Sequence, residues 1–362
     1  MTPKNPKRSR VAAPPKVEGV KKFQPSARER DLLTALNKDG GAPAQLLGCD
    51  ALALKIRGVI STQCPTIDGA IGRGGIPLGR LTLLHGKEGC GKTTLALHCV
   101  AEAQRLGGMC VYADAEHKLD PDLAAKCGVN LNELVITQPD YLEKFLSTIE
   151  GTISVANKYR DEGQGFPVLV VLDSINGLPT KAEFEAGWEG QTMGSAASVY
   201  SSKLKLLVPM INSADVALLL ISQEREKIGV LYGRKEQTGG GKAPRYFSSL
   251  VMEMSKKGQV KADKEEIIGD EVEVKCVKNQ IAPPFRKAEF RIIYGKGIDY
   301  DDSLMREAIR KGVIERSGAW YSFVGGSIGA KDERIGQGEE KVRERIASDP
   351  EFKNKLKEAI KT

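Results

Sequence analysis

The sequence predicts an α/β fold: a mostly parallel central sheet, an N-terminal helix arm and a small α+β domain towards the C-terminus. Three observations carry this reading. Short apolar runs alternate with helix-length segments between residues 81 and 294. A glycine-rich turn, Gly86-Lys87-Glu88-Gly89-Cys90-Gly91-Lys92-Thr93-Thr94, joins the first of these runs to a helical pattern. The composition also shifts at both ends, being Pro- and Lys-rich before residue 25 and charged and helical after Asp299.

In chain order, residues 1–25 show almost no apolar periodicity and read as a disordered basic arm. Residues 26–36 read as a helix, with Ser26 as N-cap, Glu29 completing a capping box, and Leu32, Leu33 and Leu36 as a short apolar face for docking. A turn at residues 72–79 precedes the first strand. Further strands are expected at 109–113, 134–137, 168–172, 216–221, 250–254, 271–277 and 288–294, with helices near 92–106, 140–159 and 195–213. The spacing puts helices on both faces of the sheet, and the closely spaced later strands add antiparallel edges. Trp320 and Tyr321 are the main aromatics of the last segment. The expected divisions are therefore 1–25, 26–54, 55–298 and 299–362.

With 41% hydrophobic residues in a chain of 362, a sizeable core is expected. No apolar run approaches the roughly 18 residues of a membrane span, and the first residues lack a signal-like apolar core, so a cytoplasmic protein without membrane contact is expected. The seven cysteines are scattered without a C-x-x-C pair, which points away from a disulfide framework or structural zinc. The net charge of +7 is local: residues 1–30 hold nine Lys/Arg and two Glu, and the remainder holds 45 of each sign. Such an arm suits an acidic partner or simple solvation equally well.

The glycine-rich turn fits G-x-x-x-x-G-K-[ST] in its proper strand–loop–helix context. Gly86 opens the loop and Gly91 closes it; the backbone amides turn towards phosphates, Lys92 adds a point charge, and the Thr93 hydroxyl can ligate Mg²⁺. Residues 86–94 are thus expected to hold a nucleoside triphosphate. Cys90, a thiol among inward-facing amides, is expected to have a lowered pKa. Asp173 ends a continuous apolar strand and is the expected second metal ligand, although alone it would read as a turn residue. Glu116 ends another strand and is the candidate general base, its plainer alternative being a cap for the Leu119-Asp120-Pro121 turn. His117 reads as structural.

Together with Gln138-Pro139-Asp140, Leu172-Asp173-Ser174, Ile221-Ser222-Gln223, residues 227–233, 275–279 and 288–290, Ala319-Trp320-Tyr321-Ser322 and Ile335-Gly336-Gln337-Gly338, these motifs resemble the bacterial RecA recombinase family over roughly residues 55–362, in order and at family spacing. The resemblance implies a RecA-type phosphate-loop ATPase core, ATP and Mg²⁺ as cofactors, and a DNA-dependent ATPase that pairs and exchanges homologous strands in recombination and repair. It implies that Glu116 activates water, that Lys92, Thr93 and Asp173 hold phosphates and Mg²⁺, that Gln223 senses the γ-phosphate, and that Lys278 reaches a neighbouring subunit's ATP. Asp120 and Tyr294 join the nucleotide site, Tyr294 beside the adenine or else in the core. Two loops, near 183–194 and 224–245, would hold DNA through Met193 and Ile228 as wedges and through Arg225, Lys227, Gly240, Gly241, Lys242 and Arg245; such loops are otherwise ordinary surface connections. Implied partners are single-stranded DNA, double-stranded DNA, further copies in a helical filament through the segment 26–54, and a self-cleaving repressor.

Departures from the family pattern are Gln280 for a second lysine, Ser198 for an arginine after the first loop, an extra stretch at 326–333, and no acidic tail, so regulation through one is not expected. Two rival readings are a ring-forming motor on the same core and a nucleotide-gated DNA-binding protein with weak hydrolysis.

Overall fold

The computed structural model describes residues 26–38, 44, 56–187, 196–226, 236–238, 241–262, 266–324 and 333–361, with only the backbone for 225–226 and 236–238. The chain divides into two compact units, Met1–Gly58 and Val59–Thr362. In the first, Ala27–Asn37 is helical. Both arms of the expected capping box are present, the Ser26 hydroxyl accepting from the Glu29 amide and the Glu29 carboxylate from the Ser26 amide. Leu32 and Leu36 stand more than half exposed on this helix. The basic arm of residues 1–25 lies outside the described residues.

The second unit is built on a ten-stranded sheet. From edge to edge its main path runs Gly297–Ile298, Lys287–Ile293, Ile267–Asn279, Leu250–Lys261, Leu81–Gly86, Val216–Glu226, Val168–Asp173, Met109–Asp114 and Leu134–Thr137; the tenth strand, Glu236–Thr238, pairs with the end of Val216–Glu226. The six strands from Leu250–Lys261 to Leu134–Thr137 are mutually parallel, and the remaining pairings are antiparallel.

Parallel strands covered on both faces read as unbroken apolar runs, and the burial shows why. Leu169 and Val171, Ala217 and Leu219 pack on one face with the helix Lys92–Arg105; Val168, Val170 and Leu172, Val216, Leu218 and Leu220 pack on the other with Leu142–Asp161 and Ala196–Ala214. A third cluster gathers Leu304, Met305 and Ala308 of the helix Tyr300–Arg310 with Ile314, Tyr321, Phe323, Val342 and Phe352 from a three-stranded sheet and two closing helices. Tyr321 is buried there, while Trp320 lies at the surface under the Arg334 guanidinium.

Three strands outrun their expected ends. Leu250–Lys261 and Ile267–Asn279 extend as a charged hairpin held by cross-strand pairs such as Lys256–Asp270 and Lys257–Glu273, at 2.7 and 3.1 Å. The extended part of this ribbon is mostly polar, and its few apolar residues, Val260, Ile267 and Ile268, give no sustained apolar period to read. Val216–Glu226 continues because Glu224–Glu226 find antiparallel partners in Glu236–Thr238. The extra C-terminal stretch at 326–333 lies outside the described residues except Glu333.

Asp68 adds a pH dependence to stability. Its carboxylate accepts from Ser61 Oγ, the Thr62 amide and Thr62 Oγ1, yet burial pushes its pKa up to about 7. The folded state then binds more protons than the unfolded one between about pH 4 and pH 7, so this group's contribution to stability is lost as pH rises through that window. In urea unfolding followed by circular dichroism, Asp68→Asn is expected to gain on the natural chain by more than about 1 kcal/mol between pH 4.5 and pH 7.5. A pH-independent difference would contradict this.

Candidate functional site

The parallel register brings the expected site residues to one edge of the sheet. Gly86 lies beside Gln223 on one side and Met254 on the other, and Asp114 lies beside Asp173. The chain leaves each strand at the same level, so the phosphate loop, Glu116, Asp173 and Gln223 converge outside the carboxyl ends of the strands, where open α/β sheets bind ligands.

Asp173 is the fixed point. Its Oδ2 accepts from Thr93 Oγ1 at 2.6 Å and from the Tyr112 hydroxyl at 2.8 Å. Burial raises its pKa, and these two bonds and Lys92 oppose the rise. A hydroxyl and a carboxylate are hard oxygen donors of the kind Mg²⁺ takes, and Mg²⁺ needs few protein ligands because it keeps waters and phosphate oxygens. Among the described residues no group of three or more His, Cys, Asp or Glu is disposed to hold a metal. The donor chemistry of Thr93 and Asp173 fits Mg²⁺ held jointly with phosphates.

Glu116 is held by groups that sequence reading did not single out for it. Its Oε1 accepts from Ser174 Oγ at 2.5 Å and from Gln223 Nε2 at 2.8 Å, and Oε2 accepts from the exposed Lys118 ammonium at 3.2 Å. Gln223 is itself fastened through its backbone, its amide donating to Asn176 Oδ1 and its carbonyl accepting from Asn176 Nδ2. The capping role weighed as the alternative for Glu116 is filled by others. Asp114 accepts from the Lys118 and Leu119 amides, and exposed Asp120 caps Pro121–Lys126 by accepting from the Asp122 amide.

In the loop, the buried Lys92 ammonium donates to the carbonyls of Gly86 and Lys87 at 2.9 and 2.7 Å. Lys87, Glu88 and Gly89 are exposed, and Cys90 and Thr94 are buried. The lowered pKa expected for Cys90 is not found. Burial of the thiol raises it and outweighs the neighbouring Lys92 ammonium. Gly91 caps the helix Lys92–Arg105 with φ of 89°, and a Cβ there would lie 2.2 Å from Ile292 Cδ1.

The other expected residues lie further out. Tyr294 is 52% exposed and so is a surface residue instead of a core one. Lys278 donates to the carbonyls of Tyr246 and Arg245 at 2.7 and 3.3 Å, and partial burial and the Arg245 charge lower its pKa. Gln280 and Ser198 are exposed. Met193, Lys227, Ile228 and Gly240 lie outside the described residues, as does the side chain of Arg225. Gly241 adopts φ of 74°, with a notional Cβ 2.7 Å from Ala197, so the foot of the second loop rests on the helix that follows the first. Lys242 is exposed beside it, and Arg245 lies in the short helix Ala243–Phe247. Sequence reading missed Tyr112, Ser174, Asn176, and a buried contact between His85 and Glu224. Among the described residues no helix is long and apolar enough to cross a membrane.

Comparison with known proteins gives the same order of parts. The RecA N-terminal domain family matches residues 31–299, and the RecA C-terminal domain family matches residues 303–362. Protein RecA of Chlorobaculum tepidum is 38% identical over 330 residues, which is 91% of this chain and 90% of that protein. Protein RecA of Fusobacterium nucleatum is 40% identical over 335 residues, covering 91% of this chain and 84% of that one. Protein RecA of Syntrophobacter fumaroxidans is 41% identical over 305 residues, covering 83% of this chain and 84% of that one.

Gly91→Ala tests the loop geometry. The left-handed backbone disfavours alanine, and the methyl would collide with Ile292. Affinity for a fluorescent ATP analogue is expected to fall by more than about tenfold, a loss of about 1.4 kcal/mol, while the protein still unfolds cooperatively. Unchanged affinity would show that the loop tolerates the methyl.

Proposed function

The chain belongs to the RecA family, and from that premise we propose that the strand tips around Glu116 are the ATPase centre of this DNA-dependent ATPase and homologous recombinase. The family uses ATP with Mg²⁺, binds DNA and forms filaments. The observation that carries the assignment is Glu116 Oε1 accepting from both Ser174 and Gln223, beside the linked pair Thr93 and Asp173.

In this reading Glu116 orients the attacking water and takes its proton. Ser174 and Gln223 hold the carboxylate in place until substrate arrives. Gln223 then exchanges its bond to Glu116 for one to the γ-phosphate, which makes it the sensor of nucleotide state. Lys92 and the amides of residues 86–94 hold the phosphates, and Thr93 and Asp173 hold Mg²⁺, which supplies positive charge against the phosphate oxygens. Asp120 and Tyr294 complete the nucleotide site, Tyr294 with its exposed ring against the adenine. Lys278 serves the ATP of the adjoining subunit, so hydrolysis is completed by assembly. Gln280 leaves that contribution with one cation fewer than the family pattern.

DNA lies against the two loops. Arg225, Lys227, Lys242 and Arg245 neutralise phosphates, Gly240 and Gly241 let the backbone approach, and Met193 and Ile228 part the bases. The filament forms on single-stranded DNA in the cytoplasm, takes up homologous double-stranded DNA, exchanges strands, and presents itself to a self-cleaving repressor. Residues 1–25 form a basic arm, 26–54 the segment that docks on the next subunit, 55–298 the ATPase core and 299–362 the C-terminal domain.

Glu116→Gln is expected to lower DNA-stimulated hydrolysis about 100-fold or more with nucleotide affinity changed by only a few-fold, since general-base catalysis contributes about that factor. Hydrolysis at the natural rate would remove Glu116 from the mechanism. Gln280→Lys is expected to raise the DNA-stimulated kcat several-fold, and no change in steady-state assays would show that a second lysine adds nothing here.

A further inference from the structure

His85 and Glu224 are a buried pair with no role in the chemistry assigned above. His85 directly precedes Gly86, whose carbonyl holds Lys92, and Glu224 directly follows Gln223. Their strands are parallel neighbours, with His85 opposite Ser222. Glu224 lies two residues on from Ser222, so its side chain returns to the same face and meets the imidazole. His85 Nδ1 donates to Glu224 Oε1, and the two side chains are only 4% and 8% exposed. His85 Nε2 is buried with no hydrogen-bond partner among the described residues, so Glu224 is the group that holds the ring. The carboxylate is drawn below its usual pKa by the His85 bond, and Lys92 and Lys87 add to the effect.

The position gives this contact a use. Through the backbone, Glu224 pairs with Thr238, so it stands at the base of the segment assigned to DNA. Through the side chain it is tied to the strand that ends in the phosphate loop. A shift of Gln223 on meeting or losing a γ-phosphate therefore cannot reach the second loop without moving Glu224 against His85. Breaking that pair would leave a buried group without its partner, which keeps the two strand ends moving as one body.

We propose that His85 and Glu224 are positioning residues that carry the nucleotide state from the phosphate loop to the second DNA loop, so that ATP and DNA raise each other's affinity through this contact. The inference rests on the ATPase and DNA roles proposed above. Linkage makes it measurable as a coupling factor: the Kd for fluorescein-labelled oligodeoxythymidine with ADP divided by that with ATPγS, at one fixed salt concentration. The natural chain is expected to show a factor between about 5 and 150. His85→Leu and Glu224→Ala are each expected to lower it about fivefold or to abolish it, and the double variant is expected to lower it no further. His85→Asn, whose side-chain amide keeps a donor near the Nδ1 position, is expected to recover most of the factor. Should His85→Leu fail to fold, Glu224→Ala with His85→Asn carries the same comparison.

A natural factor that persists in the folded single variants overturns the proposal, as do losses that multiply in the double variant or an asparagine that behaves like leucine. A natural chain with no coupling at all overturns the functional reading and this inference together. Coupling in the natural chain that survives the variants overturns this inference alone.

Discussion

One carboxylate oxygen holds the candidate site together. Asp173 Oδ2 accepts from Thr93 at the start of the phosphate-loop helix and from Tyr112 on the adjoining strand. Through that atom the loop, the strand Val168–Asp173 and the strand Met109–Asp114 keep a common spacing. Burial works against the charge on Asp173, and the two hydroxyls are what make a carboxylate tolerable there. The Thr93 hydroxyl and the Asp173 carboxylate, linked in this way, are hard oxygen donors of the kind Mg²⁺ takes. Thr93, Asp173 and Tyr112 are thus linked to one another within the protein itself, and preorganisation of this kind lowers the cost of ordering a site.

A second set of contacts gives this rigid centre something to transmit. Glu116, Gln223 and Asn176 form a chain of hydrogen bonds from the Glu116 carboxylate to the backbone of the strand that enters the second loop. Gln223 Nε2 holds Glu116, and under the proposed exchange of that bond for one to a phosphate the same amide would report the nucleotide state. ATP and DNA can promote each other only if both favour the same arrangement of this strand and its loop. The foot of the second loop, where Gly241 rests on Ala197, ties the two proposed DNA segments to one another as well.

Much of this was legible in the sequence, for identifiable reasons. The strands Val168–Asp173 and Leu134–Thr137 are short, apolar and bounded by helix-length segments, so period and length locate them within a residue. Gly86 to Thr94 announces itself because the loop needs glycine at fixed offsets. The ribbon formed by Leu250–Lys261 and Ile267–Asn279 was only half legible, since its outer part is stabilised by charge pairs across strands and not by an apolar face. Ser174, Asn176 and Tyr112 were illegible as site residues because their partners lie 58, 47 and 61 positions away and become neighbours only through the parallel register. His85 and Glu224 are separated by 139 positions and belong to no motif. For Cys90 the local reading failed because it counted the inward-facing amides but not the loss of water around the thiol.

The central claim is that DNA assembles the chain into a filament whose ATP sites are completed between subunits. It is tested most directly by measuring ATP hydrolysis with and without single-stranded DNA across a range of protein concentrations. Strong stimulation by DNA, with a rate per subunit that rises cooperatively with concentration, is the predicted result. A rate per subunit that is the same with and without DNA at every concentration would contradict the claim.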